Sequence, residues 1–259
     1  MSSVTERIKQ VKQPRGGYVK PSQLHKTVLD DGKTLHMSDS VHASITGMAV
    51  DYLSRLMRGS SVDEAFHISM MGAERAEMLG MRGAKRECAG YLSKVKGLDN
   101  QSIICACKAC AFDVWFRNPI AAMMAKTPAD TMPDNNAVED IRTLVERSLT
   151  FFNTYGPVTE DGFTFEPNGY TSVVDSGDGD FLTNDTLWDF KTSKAAPTSK
   201  HTLQILMYYV MGKKSGKAMF KNIQNVGIFN PILNAVYLLP VSSVPVDVMD
   251  TIEHDVCGF

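Results

Sequence analysis

One short segment, GDGDFLTNDTLWDFKTSK at residues 177–194, contains acidic residues whose spacing suits the binding of a metal ion. If Asn184 and Asp185 form a two-residue hairpin loop, Asp180 lies directly opposite Asp189. A four-residue loop keeps this register, whereas an odd-length loop would not. Directly opposed residues have Cβ atoms about 4.5–5.5 Å apart, where two carboxylates repel each other unless a cation lies between them. Because oxygen ligands with positions left for water suit Mg²⁺ or Mn²⁺, the segment predicts a divalent-metal site.

The second strand of this hairpin alternates between a polar and an apolar face. Asp189 and Lys191 project from one face, while Trp188 and Phe190 project from the other and can enter a core. A carboxylate and an ammonium side by side on a strand suit metal-assisted attack of water on a phosphodiester. In that chemistry Lys191 would orient the water or stabilise the developing negative charge. The D-x-K spacing alone is weak evidence, since residues 31–33 have it without any strand pattern.

The hairpin and the helix predicted after it resemble the PD-(D/E)-x-K nuclease superfamily, in particular its RecB-type and phage-exonuclease-like branch. Three of that branch's motifs have counterparts in this sequence, namely Gly179-Asp180, Asp189-Phe190-Lys191, and Gln204 with Tyr208 at the Q-x-x-x-Y spacing. Residues four apart share one face of a helix, so the last pair can point at the same site. The resemblance spans residues 137–240.

The resemblance implies a restriction-endonuclease-like core and a Mg²⁺-dependent deoxyribonuclease, with exonuclease action favoured over sequence-specific cleavage. In such an enzyme Mg²⁺ or Mn²⁺ would be held by Asp180, Asp189 and the backbone carbonyl of Phe190. Lys191 would assist the attacking water, and the Q-x-x-x-Y pair would organise the site or the DNA strand.

The family's first motif, a His or Glu on an upstream helix, has no clear counterpart in this sequence. Two residues on predicted helices are candidates, Glu146 just before the strands and His42 on an earlier helix. Glu166 and Asp178 could also supply a ligand, and Asp178 lies on the same strand face as the second-motif Asp. Gly179 stands where the family name has proline. The identity of a further metal ligand therefore stays open.

Patterns along the chain predict a helical N-terminal region and a mixed α/β (α+β) core with a sheet flanked by helices. Capping residues and apolar spacing predict helices over much of residues 38–125, and a segment rich in Pro, Asp and Asn follows. From Ala137 the predicted order is one helix, three short strands, a helix ending at Gly212 and two further strands. We expect three parts: a basic N-terminal arm (1–35), a helical region (36–130) and a nuclease-like core (131–259).

The composition is that of a folded globular protein. The 259 residues carry 27 Lys and Arg against 29 Asp and Glu, and 43% are hydrophobic, which excludes disordered, collagen-like and disulfide-stapled classes. No run of 18 apolar residues and no secretory signal is evident, and five cysteines then predict reduced thiols in the cytoplasm. Cys105, Cys107 and Cys110 are expected to be buried helix residues, because residues two apart on a helix point to different sides.

Charge is unevenly distributed around the candidate site. Residues 148–190 contain eight acids and no Lys or Arg, whereas residues 191–246 contain seven lysines and no acid. An acidic patch beside a basic rim suits a phosphodiesterase that acts on a polyanion, here DNA. Lysines 213, 214, 217 and 221 are candidates for phosphate contact, with a solvated surface as the alternative interpretation.

Proteins of other classes fit part of the same pattern. A non-catalytic nucleic-acid-binding or assembly protein that retains the nuclease fold would also lack the first motif. A metal-dependent hydrolase with a different substrate is a further alternative. The presence of Asp180, Asp189 and Lys191 favours the nuclease, since a protein without catalytic activity would not be expected to keep opposed carboxylates.

Overall fold

The structure, a computed structural model that describes residues 2–259, confirms the predicted mixed α/β (α+β) class. The helices are α1 (Val4–Gln10), α2 (Ala43–Met57), α3 (Val62–Ala65), α4 (His67–Met78), α5 (Ala84–Leu92), α6 (Asn100–Cys110), α7 (Asp113–Arg117), α8 (Pro119–Ala122), α9 (Asn135–Tyr155), α10 (Ser199–Ser215) and α11 (Val246–Thr251), which continues into a π-helix at Ile252–Cys257. The strands are β1 (Ser2–Ser3), β2 (His25–Val28), β3 (Glu160–Thr164), β4 (Val174–Ser176), β5 (Asp178–Leu182), β6 (Thr186–Phe190), β7 (Asn225–Asn230) and β8 (Ala235–Pro240). None of the helices within residues 2–259 is both long and apolar enough to cross a membrane.

The chain divides into two compact units. The first, here called the sheet unit, contains the residues up to Asp30 together with Phe151–Phe259, and the second, the helical unit, contains Asp31–Thr150. Helix α9 contributes residues to both. This division differs from the three parts expected from the sequence, because the N-terminal residues supply a strand to the sheet and the boundary falls within α9.

Six strands of the sheet unit form one mixed sheet in the order β2-β8-β7-β6-β5-β3. Neighbouring strands are antiparallel except β6 and β7, which are parallel and are connected through α10. Parallel neighbours require a crossover of this kind. As a result α10 packs against β6 and β7, beside the strands that carry the acidic residues.

The two faces of the sheet bury different side chains. On the α10 side, aliphatic residues including Leu187 form the larger core. On the other side, Phe151 of α9 stacks on Phe229 with ring centroids 4.1 Å apart and meets Trp188 edge-on at 4.9 Å. The predicted alternation along β6 is confirmed, because Trp188 enters the aromatic core while Asp189 lies on the α10 side.

The N-terminal residues are not the irregular arm that the sequence predicted. They form α1 and β2, and β2 pairs antiparallel with β8 at the edge of the sheet. Val4 and Ile8, one helical turn apart, are buried in the core together with Val19 and Leu24. Burial of such a side chain contributes about 1.5–3 kcal/mol, which anchors the segment while its lysines stay exposed.

Helix α10 is longer than predicted. Gly212 lies inside the helix and does not end it. A Cβ at this position would come within 2.5 Å of the Phe220 ring, so the position requires glycine for packing. The helix ends at Ser215, and Gly216 follows with a φ of 74°, the left-handed conformation that favours glycine.

Asp113 is the centre of a buried polar network in the helical unit. Tyr52 donates a hydrogen bond to one carboxylate oxygen at 2.5 Å, and Ser69 donates to the other at 2.6 Å. Burial raises the pKa of Asp113, and these two hydrogen bonds oppose the shift. The network joins α2 and α4 to the start of α7.

The cysteines are free thiols with buried side chains. Cys105, Cys107 and Cys110 therefore have the packing role expected of them. Burial raises the pKa of Cys107 to about 12, so this thiol stays protonated at neutral pH.

Candidate active site

The β5–β6 hairpin has the register predicted from the sequence. Phe181 pairs with Trp188 and Leu182 pairs with Leu187, and the Thr183 N–H donates to the Thr186 carbonyl at 2.9 Å to close the turn. Continued by one residue away from the turn, the same register would set Asp180 opposite Asp189. Asp180 and Asp189 are both on the α10 face of the sheet, because both charges act on Tyr208 of α10.

Asp189 is buried and only partly satisfied. The residue is 2% exposed, and its Oδ1 accepts a hydrogen bond from Lys191 Nζ at 2.7 Å. Its Oδ2 is also buried but has no hydrogen-bond partner among residues 2–259. Burial raises the pKa of this carboxyl, although the Lys191 charge opposes the shift. A buried acceptor without a partner is costly, so this oxygen is the first place to expect a bound cation.

Lys191 is held as a charged donor between the two acids. Burial alone would lower its pKa, but the charges of Asp189 and Asp180 outweigh burial and raise it. Its backbone N–H donates to the Phe229 carbonyl at 2.9 Å, which fixes the residue at the end of β6 against β7. The pKa values of Lys191 and Asp189 are thus both raised, that of Lys191 by the neighbouring acidic charges and that of Asp189 by burial.

Asp180 and the backbone of Phe190 face each other across the hairpin. The Phe190 N–H donates to Asp180 Oδ2 at 2.6 Å. In an extended strand the N–H and C=O of one residue point to the same neighbouring strand, so the Phe190 carbonyl also faces β5. Asp180 and the Phe190 backbone are therefore neighbours across the hairpin, and Asp189 precedes Phe190 on β6.

Gln204 and Tyr208 lie on the face of α10 that turns toward these carboxylates. Gln204 Nε2 donates to the Tyr208 hydroxyl at 2.9 Å. Burial raises the pKa of Tyr208, and the negative charges of Asp189, Asp180 and Asp178 raise it further. The structure thus brings the Q-x-x-x-Y pair to the hairpin site.

His201 is a site residue that sequence reasoning missed. It lies in the first turn of α10, half-buried, and its Nδ1 accepts a hydrogen bond from the Thr198 N–H at 3.1 Å. Burial lowers its pKa, the Lys191 charge lowers it further, and Asp189 opposes both. His201 precedes Gln204 by three residues and Tyr208 by seven, so helical spacing alone would have put it on the same face.

The four candidates for a further metal ligand have different surroundings. Asp178 is exposed on β5, and Glu166 is exposed before a proline after β3. In the helical unit, Glu146 forms an ion pair with Lys33 at 2.5 Å, and His42 caps α2 by accepting a hydrogen bond from a backbone N–H at 3.2 Å. Within residues 2–259, no three His, Cys, Asp or Glu side chains are grouped so that they could hold a metal ion.

The donor set on the hairpin nevertheless fits Mg²⁺. This ion is commonly bound through one or two carboxylates, with water and substrate phosphate completing its coordination. Asp180, Asp189 and the Phe190 carbonyl would supply oxygen ligands only, and one of those oxygens is buried without a partner. The residues present therefore match the chemistry of the ion that the sequence predicted.

Three of the lysines in the last turn of α10 and just after it are engaged within the protein. Lys213 donates to a backbone carbonyl at 2.9 Å, Lys217 donates to the Thr164 carbonyl at 2.8 Å, and Lys214 pairs with Glu253 at 2.5 Å. These contacts favour the interpretation of this group as a structural and solvated surface.

Comparison of the chain with models of protein families, with curated proteins and with solved structures finds no match.

Proposed function

We propose that this chain is a metal-dependent nuclease of the PD-(D/E)-x-K type that hydrolyses DNA phosphodiester bonds, with exonuclease action. The observation that carries the proposal is the buried Asp189 carboxylate. One of its oxygens is bonded to Lys191 and the other has no partner within residues 2–259, while Asp180 on the neighbouring strand β5 accepts a hydrogen bond from the Phe190 N–H. A carboxylate pair of this kind is difficult to explain by stability alone, because it concentrates negative charge in a buried place.

In the proposed enzyme Asp180, Asp189 and the Phe190 carbonyl hold Mg²⁺ or Mn²⁺. The bound ion would supply Lewis acidity toward the phosphate and acidify the attacking water. Lys191, kept protonated by its acidic neighbours, donates hydrogen bonds to the attacking water and stabilises charge that develops on the phosphate. Gln204 fixes the Tyr208 hydroxyl, and the pair orients the DNA strand against the site.

We also propose that the substrate is DNA and that the protein is located in the cytoplasm. The lysines at 194 and 200 flank the N-terminus of α10 and are exposed, so they can meet a polyanionic backbone. Free buried thiols agree with a reducing compartment.

Digestion of end-labelled linear DNA and closed circular DNA with Mg²⁺ or Mn²⁺ tests the proposal. The informative variant is Asp189→Asn, and Asp185→Asn is its matched control, because Asp185 is an exposed carboxylate at the tip of the same hairpin. We expect wild type and Asp185→Asn to degrade linear but not circular DNA. Asp189→Asn, or wild type with chelator, should degrade neither.

A non-catalytic nucleic-acid-binding or assembly protein is the second candidate. It is favoured by one observation, that no third acidic or histidine ligand joins the carboxylate pair in the part of the chain described. If neither DNA is cut while the protein still retards both in a gel, the nuclease proposal fails and the binding protein becomes the better conclusion. Cleavage that Asp189→Asn leaves unchanged would place any activity outside this hairpin.

A further inference from the structure

His201 has a hydrogen-bond donor that its structural role leaves available. Its Nδ1 accepts the Thr198 N–H, so in the neutral imidazole the proton is on Nε2. Asp189 Oδ2 is buried without a partner, so the Nε2–H does not satisfy that oxygen. His201 therefore carries a donor that makes no hydrogen bond to Asp189 Oδ2, and helical spacing puts this residue on the same face of α10 as Gln204 and Tyr208.

The surroundings of His201 favour an anionic oxygen as its partner. The ring lies within electrostatic range of both Lys191 and Asp189, and it belongs to the first turn of a 17-residue helix. The unpaired N–H groups at a helix N-terminus favour negative charge. Lys191 already donates to Asp189, so His201 adds a second, uncharged donor to the site.

We propose that His201 donates its Nε2–H to a non-bridging oxygen of the phosphodiester bound at the Asp180–Asp189 site. This inference rests on the proposed function, and it assigns a substrate contact to a residue outside the motifs quoted above. His201 orients the phosphate from the α10 side while Lys191 acts from the strand side. Its contribution is a hydrogen bond to a charged oxygen, and no proton is transferred.

The capping geometry offers a set of variants that separates this role from a structural one. His201 is the N3 residue of a capping box on Thr198, a position at which Gln and Glu also accept the N-cap N–H. His201→Gln keeps both the cap and an N–H donor. His201→Glu keeps the cap but has no donor, and His201→Ala has neither.

The experiment measures kcat and KM on a labelled oligonucleotide at saturating Mn²⁺, with Tm measured for each variant. Loss of one hydrogen bond to a charged group corresponds to a decrease of about 10- to 100-fold in kcat/KM. We expect this decrease for His201→Ala and His201→Glu, activity close to wild type for His201→Gln, and partial rescue of His201→Ala by added imidazole. Only His201→Ala should lower Tm.

Two patterns would overturn the inference. Wild-type activity in both His201→Gln and His201→Glu would leave His201 as a helix cap only. The second pattern is wild-type activity in His201→Ala together with reduced activity in His201→Glu alone. It would show that the added negative charge, and not the loss of a contact, lowers the activity.

A binding measurement separates failure of this inference from failure of the proposed function. In the Asp189→Asn background, fluorescence anisotropy of the same oligonucleotide reports phosphate contact without cleavage. If wild type cuts no nucleic acid, the nuclease proposal fails. The contact is then still supported if His201→Ala and His201→Glu weaken binding while His201→Gln does not, and it is overturned if all three bind equally.

Discussion

Removing the Asp189 charge should abolish stabilisation of the sheet unit by divalent cations. At the separation of about 5 Å that is general for directly opposed strand residues, two carboxylates repel by about 3 kcal/mol at an effective dielectric constant of 20. A cation bound between them relieves that repulsion and binds only the folded chain. At 100 times its Kd such a ligand stabilises the folded state by about 2.7 kcal/mol, which raises Tm by about 5–10 °C for a unit of roughly 140 residues.

Asp189→Asn preserves the shape of the side chain while it removes the charge. Without a cation it relieves repulsion of Asp180 but weakens the hydrogen bond from Lys191, and these opposite effects should leave Tm within about 3 °C of wild type. With saturating MgCl₂ or MnCl₂, wild type should gain the full shift and Asp189→Asn should gain none. The control Asp185→Asn should behave as wild type.

Thermal unfolding followed by circular dichroism, with and without cation, provides the measurement. Scanning calorimetry can assign the shift to one transition if the two units unfold separately. A wild-type Tm that does not respond to either ion would refute the reasoning. Equal shifts in wild type and Asp189→Asn would do so as well, because the ion would then bind elsewhere.

Two further predictions concern the helical unit. The hydrogen bonds from Arg147 hold the pKa of Asp31 below its ordinary value, so the pair stabilises the fold fully above about pH 4 and loses its effect as pH falls through the lowered pKa. Arg147→Ala should cost about 2–4 kcal/mol at pH 7 and flatten the acid limb of a urea-unfolding series; an unchanged limb would contradict this. Tyr52→Phe leaves buried Asp113 with one donor fewer and should cost about 1–3 kcal/mol, whereas Tyr91→Phe, which removes a less buried hydrogen bond, should cost under half as much. Equal losses in urea denaturation would contradict the second prediction.

The hairpin register could be predicted because its determinants are local. Asn184 and Asp185 favour a turn, and the flanking apolar residues alternate with a period of two. A slip of one residue would turn Asp189 into the aromatic core and Trp188 away from it. The placement of the Q-x-x-x-Y pair on one helix face follows from helical spacing in the same way.

The remaining features depend on contacts between distant parts of the chain. No local pattern shows that β2 pairs with β8, because Val28 meets Ala235 only in the folded sheet. The many basic residues near the N-terminus favoured the prediction of an exposed arm. The spacing of Val4 and Ile8 is nevertheless that of one helix face, and this face of α1 is buried. His201 was overlooked because the motif that drew attention to α10 begins three residues later.

The sheet unit is built from two separate stretches of sequence. This order determines when, during synthesis, the hairpin with Asp180 and Asp189 can take its place in the sheet. The helical unit is complete once residue 150 has left the ribosome, and domains generally fold as units as they emerge. At that stage β2 has been made but β8, its partner, has not. Asp180 and Asp189 acquire their supporting strand β7 only when residue 230 has emerged. The carboxylate-bearing hairpin therefore gains its full support late in translation, after the unit that separates the two stretches has already folded.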